Sequence, residues 1–154
     1  LYGKVLVMNG LKLLPLALCL LPCLAFAQAE AVLLEMSKRS HIPVDDIKAS
    51  IEVCELNQRS MNLCALGLAV SAELAFDALQ DEFHMFTPEE YAAFKAKVWL
   101  DCEEAGKAVA DRGTMLAAEI SLCIAAEYRA RHRAMVEIQR IEAQPHPPHK
   151  WDWP

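Results

Sequence analysis

The chain has 154 residues, a formal net charge of −6 and 55% hydrophobic residues, a size that suits one domain. The acidic balance argues against nucleic acid and anionic membrane surfaces as principal partners and is compatible with a basic one. Aromatic residues are only 7% and helix formers dominate over β-branched residues, which argues against an all-β domain.

The first segment reads as a secretory signal peptide. A start at Met8 places Lys12 in a short positive region, Leu13 to Leu24 forms the apolar core, and Ala25-Phe26-Ala27 is a small-x-small cleavage site. The apolar run is shorter than the roughly 20 residues that cross a bilayer, and Pro15 and Pro22 interrupt it, so no stable membrane span is expected after cleavage. Pro22 also precedes Cys23 where a lipidation site needs a small residue. Cleavage after Ala27 removes Lys4 and Lys12 and no acid, leaving 13 basic and 21 acidic side chains, a net −8, on residues 28–154. A periplasmic or secreted protein is the expectation.

Residues 28–142 then form the helical domain. Ala29 to Ser40 is a short amphipathic stretch. Pro43, with Asp45 and Asp46 in the first turn behind it, opens a second helix expected to run to about Glu55. Asn57 to Ser60 offers a turn and an N-cap. From about Met61 to Phe83 apolar residues recur at Leu63, Leu66, Val70 and Leu74, and at Leu68, Ala72, Ala75 and Leu79, the pattern of a long helix with a broad buried face. Thr87-Pro88-Glu89-Glu90 is a capping box with proline in the first helical position, and Phe86 before it pairs with Tyr91 as a hydrophobic staple. The helix it opens places Tyr91, Phe94, Val98, Cys102, Ala105 and Val109 on one face. Gly113-Thr114 ends the connection, and a last helix runs from about Met115 to Glu142 with Leu116, Ile120, Cys123 or Ile124, Tyr128, Met135 and Ile138 in line. Residues 143–154 read as a disordered Pro/His/Trp tail, whose His146 and His149 give at most weak metal affinity. The fold expected is all-α, a small bundle of antiparallel helical hairpins.

Cys54, Cys64, Cys102 and Cys123 remain after cleavage, and an even number in a small exported domain points to disulfides. No C-x₂-C spacing exists and no histidine adjoins a cysteine, which argues against zinc; no metal and no cofactor are expected. Antiparallel helices oppose residues that are equidistant from their turn. Cys102 and Cys123 are centred on the Arg112-Gly113 connection, and Cys54 and Cys64 on the Asn57–Ser60 turn, so each pair can close across its own hairpin. On one unbroken helix Cys54 and Cys64 would lie about 15 Å apart, out of disulfide reach. Each closure would stabilise the fold by about 3 kcal/mol in the chain-entropy picture.

Cys54 followed by Met61-Asn62-Leu63-Cys64, then Glu73 and Phe76-Asp77, then Phe94, Val98, Trp99 and Cys102, and finally Gly113-Thr114, Cys123, Tyr128 and Arg131 resembles the LprI-like lysozyme-inhibitor family over residues 50–137. Asp77 stands where that family has asparagine, the arginine of its third block is absent, and Tyr128 replaces a threonine. The resemblance implies a small exported four-cysteine helical domain and, as a specific activity, lysozyme inhibition.

No G-x-S-x-G, phosphate-binding glycine loop or H-E-x-x-H occurs, and no enzyme is expected. The pairs Asp45-Asp46, Glu89-Glu90 and Glu103-Glu104 lie adjacent on helices, pointing about 100° apart into water, whereas glycosidase chemistry needs carboxylates facing across a cleft. A protein-binding role is the expectation, with a C-type lysozyme or another basic protein as partner. Occluding an enzyme cleft needs a protruding group, for which Asp81, Glu82 and the Phe83–Phe86 loop are the first candidates and the Asp111-Arg112 connection the second. A structural or adaptor domain without lysozyme activity is the competing reading.

Overall fold

The computed structural model describes residues 28–110, 113 and 115–144. The expected signal peptide, the second candidate contact at Asp111 and Arg112, and the tail from residue 145 onward, with His146 and His149, lie outside them. Among the described residues the chain forms five helices and no strand: α1 (residues 28–40), α2 (Val44–Ile51), α3 (Gln58–Phe83), α4 (Pro88–Ala110) and α5 (Leu116–Glu142). Two disulfides, Cys54–Cys64 and Cys102–Cys123, join Cα atoms 5.8 and 5.5 Å apart and staple this all-α domain.

Helix α2 stops at Ile51, short of the expected Glu55. The chain then turns through Glu52–Leu56, with the Leu56 N–H donating to the Val53 carbonyl at 3.0 Å. Continued helix would carry Cys54 away from Cys64, so the bond and the turn require each other. Helix α3 begins earlier than expected because Asn57 caps it, its side chain accepting from the Ser60 N–H at 2.9 Å.

At the start of α4, the Glu90 carboxylate accepts from the Thr87 N–H at 2.9 Å and the Thr87 hydroxyl from the Glu90 N–H at 3.3 Å. Phe86 stacks on Tyr91 with ring centroids 6.0 Å apart, completing the staple. α4 returns antiparallel to α3, and α5 reverses again. Gln58 and Asn62 of α3 therefore share one end of the molecule with Ala117 and Ser121 of α5, while Phe76 meets Tyr128 farther along. Helix α3 is long and apolar enough to match a membrane span by length and composition, but here it is the element against which both α2 and α5 pack.

Two buried clusters result. Met36, Ile47, Leu63 and Val70 join α1 and α2 to one side of α3. Ala69, Phe76, Val98, Cys102, Ala125 and Tyr128 fill the space among α3, α4 and α5. The buried line of α4 runs Val98, Cys102, Gly106, in steps of four, whereas Ala105 and Val109, expected on that face, are exposed. Close packing against α5 sets this rotation. A Cβ on Gly106 would stand 2.8 Å from Ile120 Cγ1 and 3.3 Å from Leu116 Cδ1, so only glycine admits this approach. Leu68 and Ile138, also expected on apolar faces, are exposed.

The two helical glycines separate packing from propensity. At Gly67 a Cβ would meet only the Met36 thioether, at 3.3 Å, and that flexible side chain can yield. Gly67→Ala is therefore expected to be neutral or stabilising by up to about 1 kcal/mol. Gly106→Ala gains the same helix propensity but presses on stiff, β-branched Ile120, and is expected to lose about 1–2 kcal/mol net. Thermal or urea unfolding of the two variants checks the opposite signs.

Candidate functional site

Three features could engage another molecule: the corner between α3 and α4, a charged seam beside it, and an apolar groove at the other end. The corner is locked by Gln80, which is 9% exposed. Its Nε2 donates to the Phe86 carbonyl at 2.7 Å and its Oε1 accepts from the Phe86 N–H at 3.1 Å. His84 ends α3 in the left-handed region, φ 49°, with its N–H on the Gln80 carbonyl. These contacts fix how the corner leaves the bundle. Asp81, Glu82 and His84 are exposed, and Phe83 is 40% exposed, so the end of α3 presents two carboxylates and an aromatic ring to solvent. Phe86 differs from its neighbours. It is half-buried and stacks on both Tyr91 and Phe94, so its ring belongs to the core.

One and two turns back along α3, Asp77 and Glu73 face α4. Glu73, with a side chain 12% exposed, pairs with Arg39 Nη1 at 2.8 Å and Lys95 Nζ at 3.0 Å. Lys95 also reaches Asp77 at 3.0 Å, and the Tyr91 hydroxyl donates to the same carboxylate. Arg39 holds Glu35 as well, through Nε at 2.8 Å. Burial resists ionisation of Glu73, but hydrogen bonds from Arg39 and Lys95 outweigh it and hold the carboxyl below its usual range. Burial likewise opposes charge on Lys95, and the two carboxylates reverse that and raise it. Burial, then the Asp77 carboxylate, push the Tyr91 phenol well up. Glu73 is thus held ionised and Lys95 protonated at neutral pH, and the arrangement ties α1, α3 and α4 together.

The groove lies where α3 and α5 diverge toward their N-termini, with a volume of about 870 Å³. Leu63, Leu66, Ile120 and Ile124 line it, Trp99 of α4 and Ile42 of the α1–α2 connection flank it, and Arg39 and Arg59 stand at its rim. Among the described residues no group of three or more His, Cys, Asp or Glu side chains could hold a metal ion.

Asp81, Glu82 and Phe83 are all exposed in the last turn of α3, Phe86 is turned inward, and the four cysteines are joined as paired. The chain matches no known protein-family model, no curated protein and no solved structure. Sequence reading missed the Arg39–Glu73–Lys95–Asp77 network. Its signal was the i,i+4 spacing of Glu73 with Asp77 and of Tyr91 with Lys95, which places acids on one helix and donors on the next.

Because Glu73 titrates lower in the folded than in the unfolded chain, its contribution is complete above the ordinary carboxylate range, about pH 4.3, and is lost as the pH falls through its folded value. Glu73→Gln leaves Arg39 and Lys95 facing an uncharged amide and is expected to cost about 1–3 kcal/mol at pH 7. The difference from wild type should shrink below about pH 4. Unfolding curves of both proteins between pH 3 and 7 measure it.

Proposed function

We propose that this is an exported protein-binding domain that docks a basic partner on the α3–α4 corner, with inhibition of a C-type lysozyme as its specific activity. The observation that carries the reading is the exposed last turn of α3, with Asp81, Glu82 and Phe83, beside a corner that Gln80 locks. A helix end held by its corner loses little backbone freedom on binding, and lost freedom is where much of the cost of association lies. An exposed aromatic flanked by carboxylates suits a partner with an apolar recess in a positive surface. Export is supported by the two disulfides, which form and persist in oxidising compartments. The net charge of −6 would steer the chain toward a basic enzyme. The lysozyme assignment itself rests on the resemblance to the LprI-like family.

The test is lysis of a cell-wall suspension by C-type lysozyme with increasing oxidised protein, at low and moderate salt. Stoichiometric inhibition is expected, with association slowing as ionic strength rises. Phe83→Ala and the pair Asp81→Asn, Glu82→Gln should each weaken inhibition about tenfold at unchanged melting temperature, whereas Phe86→Ala should lower the melting temperature because its ring is packed. Absence of inhibition at excess protein would remove the lysozyme activity. Inhibition that none of the corner variants alters would remove the corner as its site.

A further inference from the structure

From the groove at the opposite end of the molecule we infer a second binding site, for a small amphiphile with an apolar body and a single carboxylate head. Its volume, about 870 Å³, falls in the range of roughly 300–1,000 Å³ typical of small-molecule sites. The lining is apolar along its length, from Leu63 and Leu66 on α3 to Ile120 and Ile124 on α5. Trp99, 53% exposed, forms a wall that a flexible apolar chain could cover.

The charge at its mouth fixes the head. In a chain with 21 acidic against 15 basic side chains, the groove is lined, among the described residues, by two arginines and by no aspartate or glutamate. Arg39 is already committed to Glu35 and Glu73. Arg59 is exposed and makes no ion pair among the described residues. It sits in the first turn of α3, where the helix dipole adds to its positive charge. One available guanidinium matches one carboxylate, which it can bind through two parallel hydrogen bonds. Ser121 and Gln58 at the same rim supply neutral polar groups. A cationic amphiphile would find no counter-charge among the described lining residues, and an uncharged one would leave Arg59 unused.

The site is separate from the corner. Leu66 and Phe83 are seventeen residues apart on one helix, about 26 Å at 1.5 Å per residue, so the two readings fail independently.

The experiment is calorimetric titration of the oxidised full-length protein with octanoate, octyl phosphate and octyltrimethylammonium, each below its critical micelle concentration, and with 1-octanol below its solubility limit. Octanoate should bind tightest. Arg59→Glu, a change at an exposed position, should weaken octanoate roughly tenfold and leave octanol unchanged. Ala117→Trp, which puts a large ring into the groove from an exposed position on α5, should abolish both. The proposal is overturned if octanoate gives no saturable heat, if octanol, the phosphate or the cation binds more tightly, or if octanoate is indifferent to Arg59→Glu. Sedimentation of the ligand-free protein closes the remaining route: a dimer that Ala117→Trp dissociates would assign the groove to a second copy of the chain and overturn the ligand site.

Discussion

No Cα of α3 comes within 8 Å of one in α4, although the two are joined by a short corner; both lean on α5 instead. Everything that couples α3 to α4 beyond the corner therefore passes through side chains. Nearest the corner those are rings. Phe76, 1% exposed, has Tyr91, Phe94 and Tyr128 around it at centroid distances of 6.2, 5.5 and 5.7 Å. Burying one such ring contributes about 1.5–3 kcal/mol, and each favourable ring pair about 0.5–1.5 kcal/mol more. Arg131 closes the cluster from outside, its guanidinium 5.0 Å from the Phe94 centroid. The end of the bundle that presents the acidic residues is thus the end where the aromatic rings gather, and Gln80 braces the corner beside them.

Farther from the corner the same gap is filled by charge. Glu73 is enclosed more than its partners: Arg39 and Lys95 keep 35% and 34% of their side chains in water. Burial opposes the charge on both cations, but their carboxylate partners outweigh it, and an enclosed carboxylate with two donors is well satisfied. The network also does what a ring could not. Arg39 comes from α1, Glu73 and Asp77 from α3, and Lys95 and Tyr91 from α4, so one cluster ties three elements in one register. Lys95 lies over the Tyr91 ring, 5.0 Å from its centroid, which joins the ionic layer to the aromatic one.

How much of this is legible in the sequence depends on the range of the interaction. Thr87-Pro88-Glu89-Glu90 and the Phe86–Tyr91 staple are local patterns whose partners lie three to five residues apart, and they appear as read. The cysteine pairs are legible because a hairpin turns a sequence midpoint into a spatial rule. The rotation of α4 is not. Ala105 and Gly106 are one residue apart, hydropathy favours burying the alanine, and only the closeness of α5 selects the residue with no side chain. Arg39 is invisible as a partner of Glu73 because thirty-four residues separate them. The α3–α4 edge was legible as a candidate because it is contiguous, and within it Phe86 turned inward because the staple and Gln80 claim it. The groove could not be seen at all, since it is a space defined by where helices part.

The two ends of the molecule are stabilised by different means: rings gather at the corner end, and both disulfides lie toward the other. Both disulfides fall at the groove end: Cys64 lies between Leu63 and Leu66, and Cys123 lies beside Ile124, all three of those neighbours lining the cavity. A cavity forfeits the contacts its lining would otherwise make, a loss that grows by roughly 24 cal/mol per Å³ where it is enclosed. This groove is open and loses less, yet its walls still lack partners on one side. A covalent link supplies what missing contacts cannot, by restricting the unfolded chain without filling the space. At the corner end aromatic rings join the helices, and no cysteine occurs between Cys64 and Cys102. The fold can therefore keep apolar surface open at one end because bonds insensitive to that exposure hold α4 against α5 and the α2–α3 turn against α3.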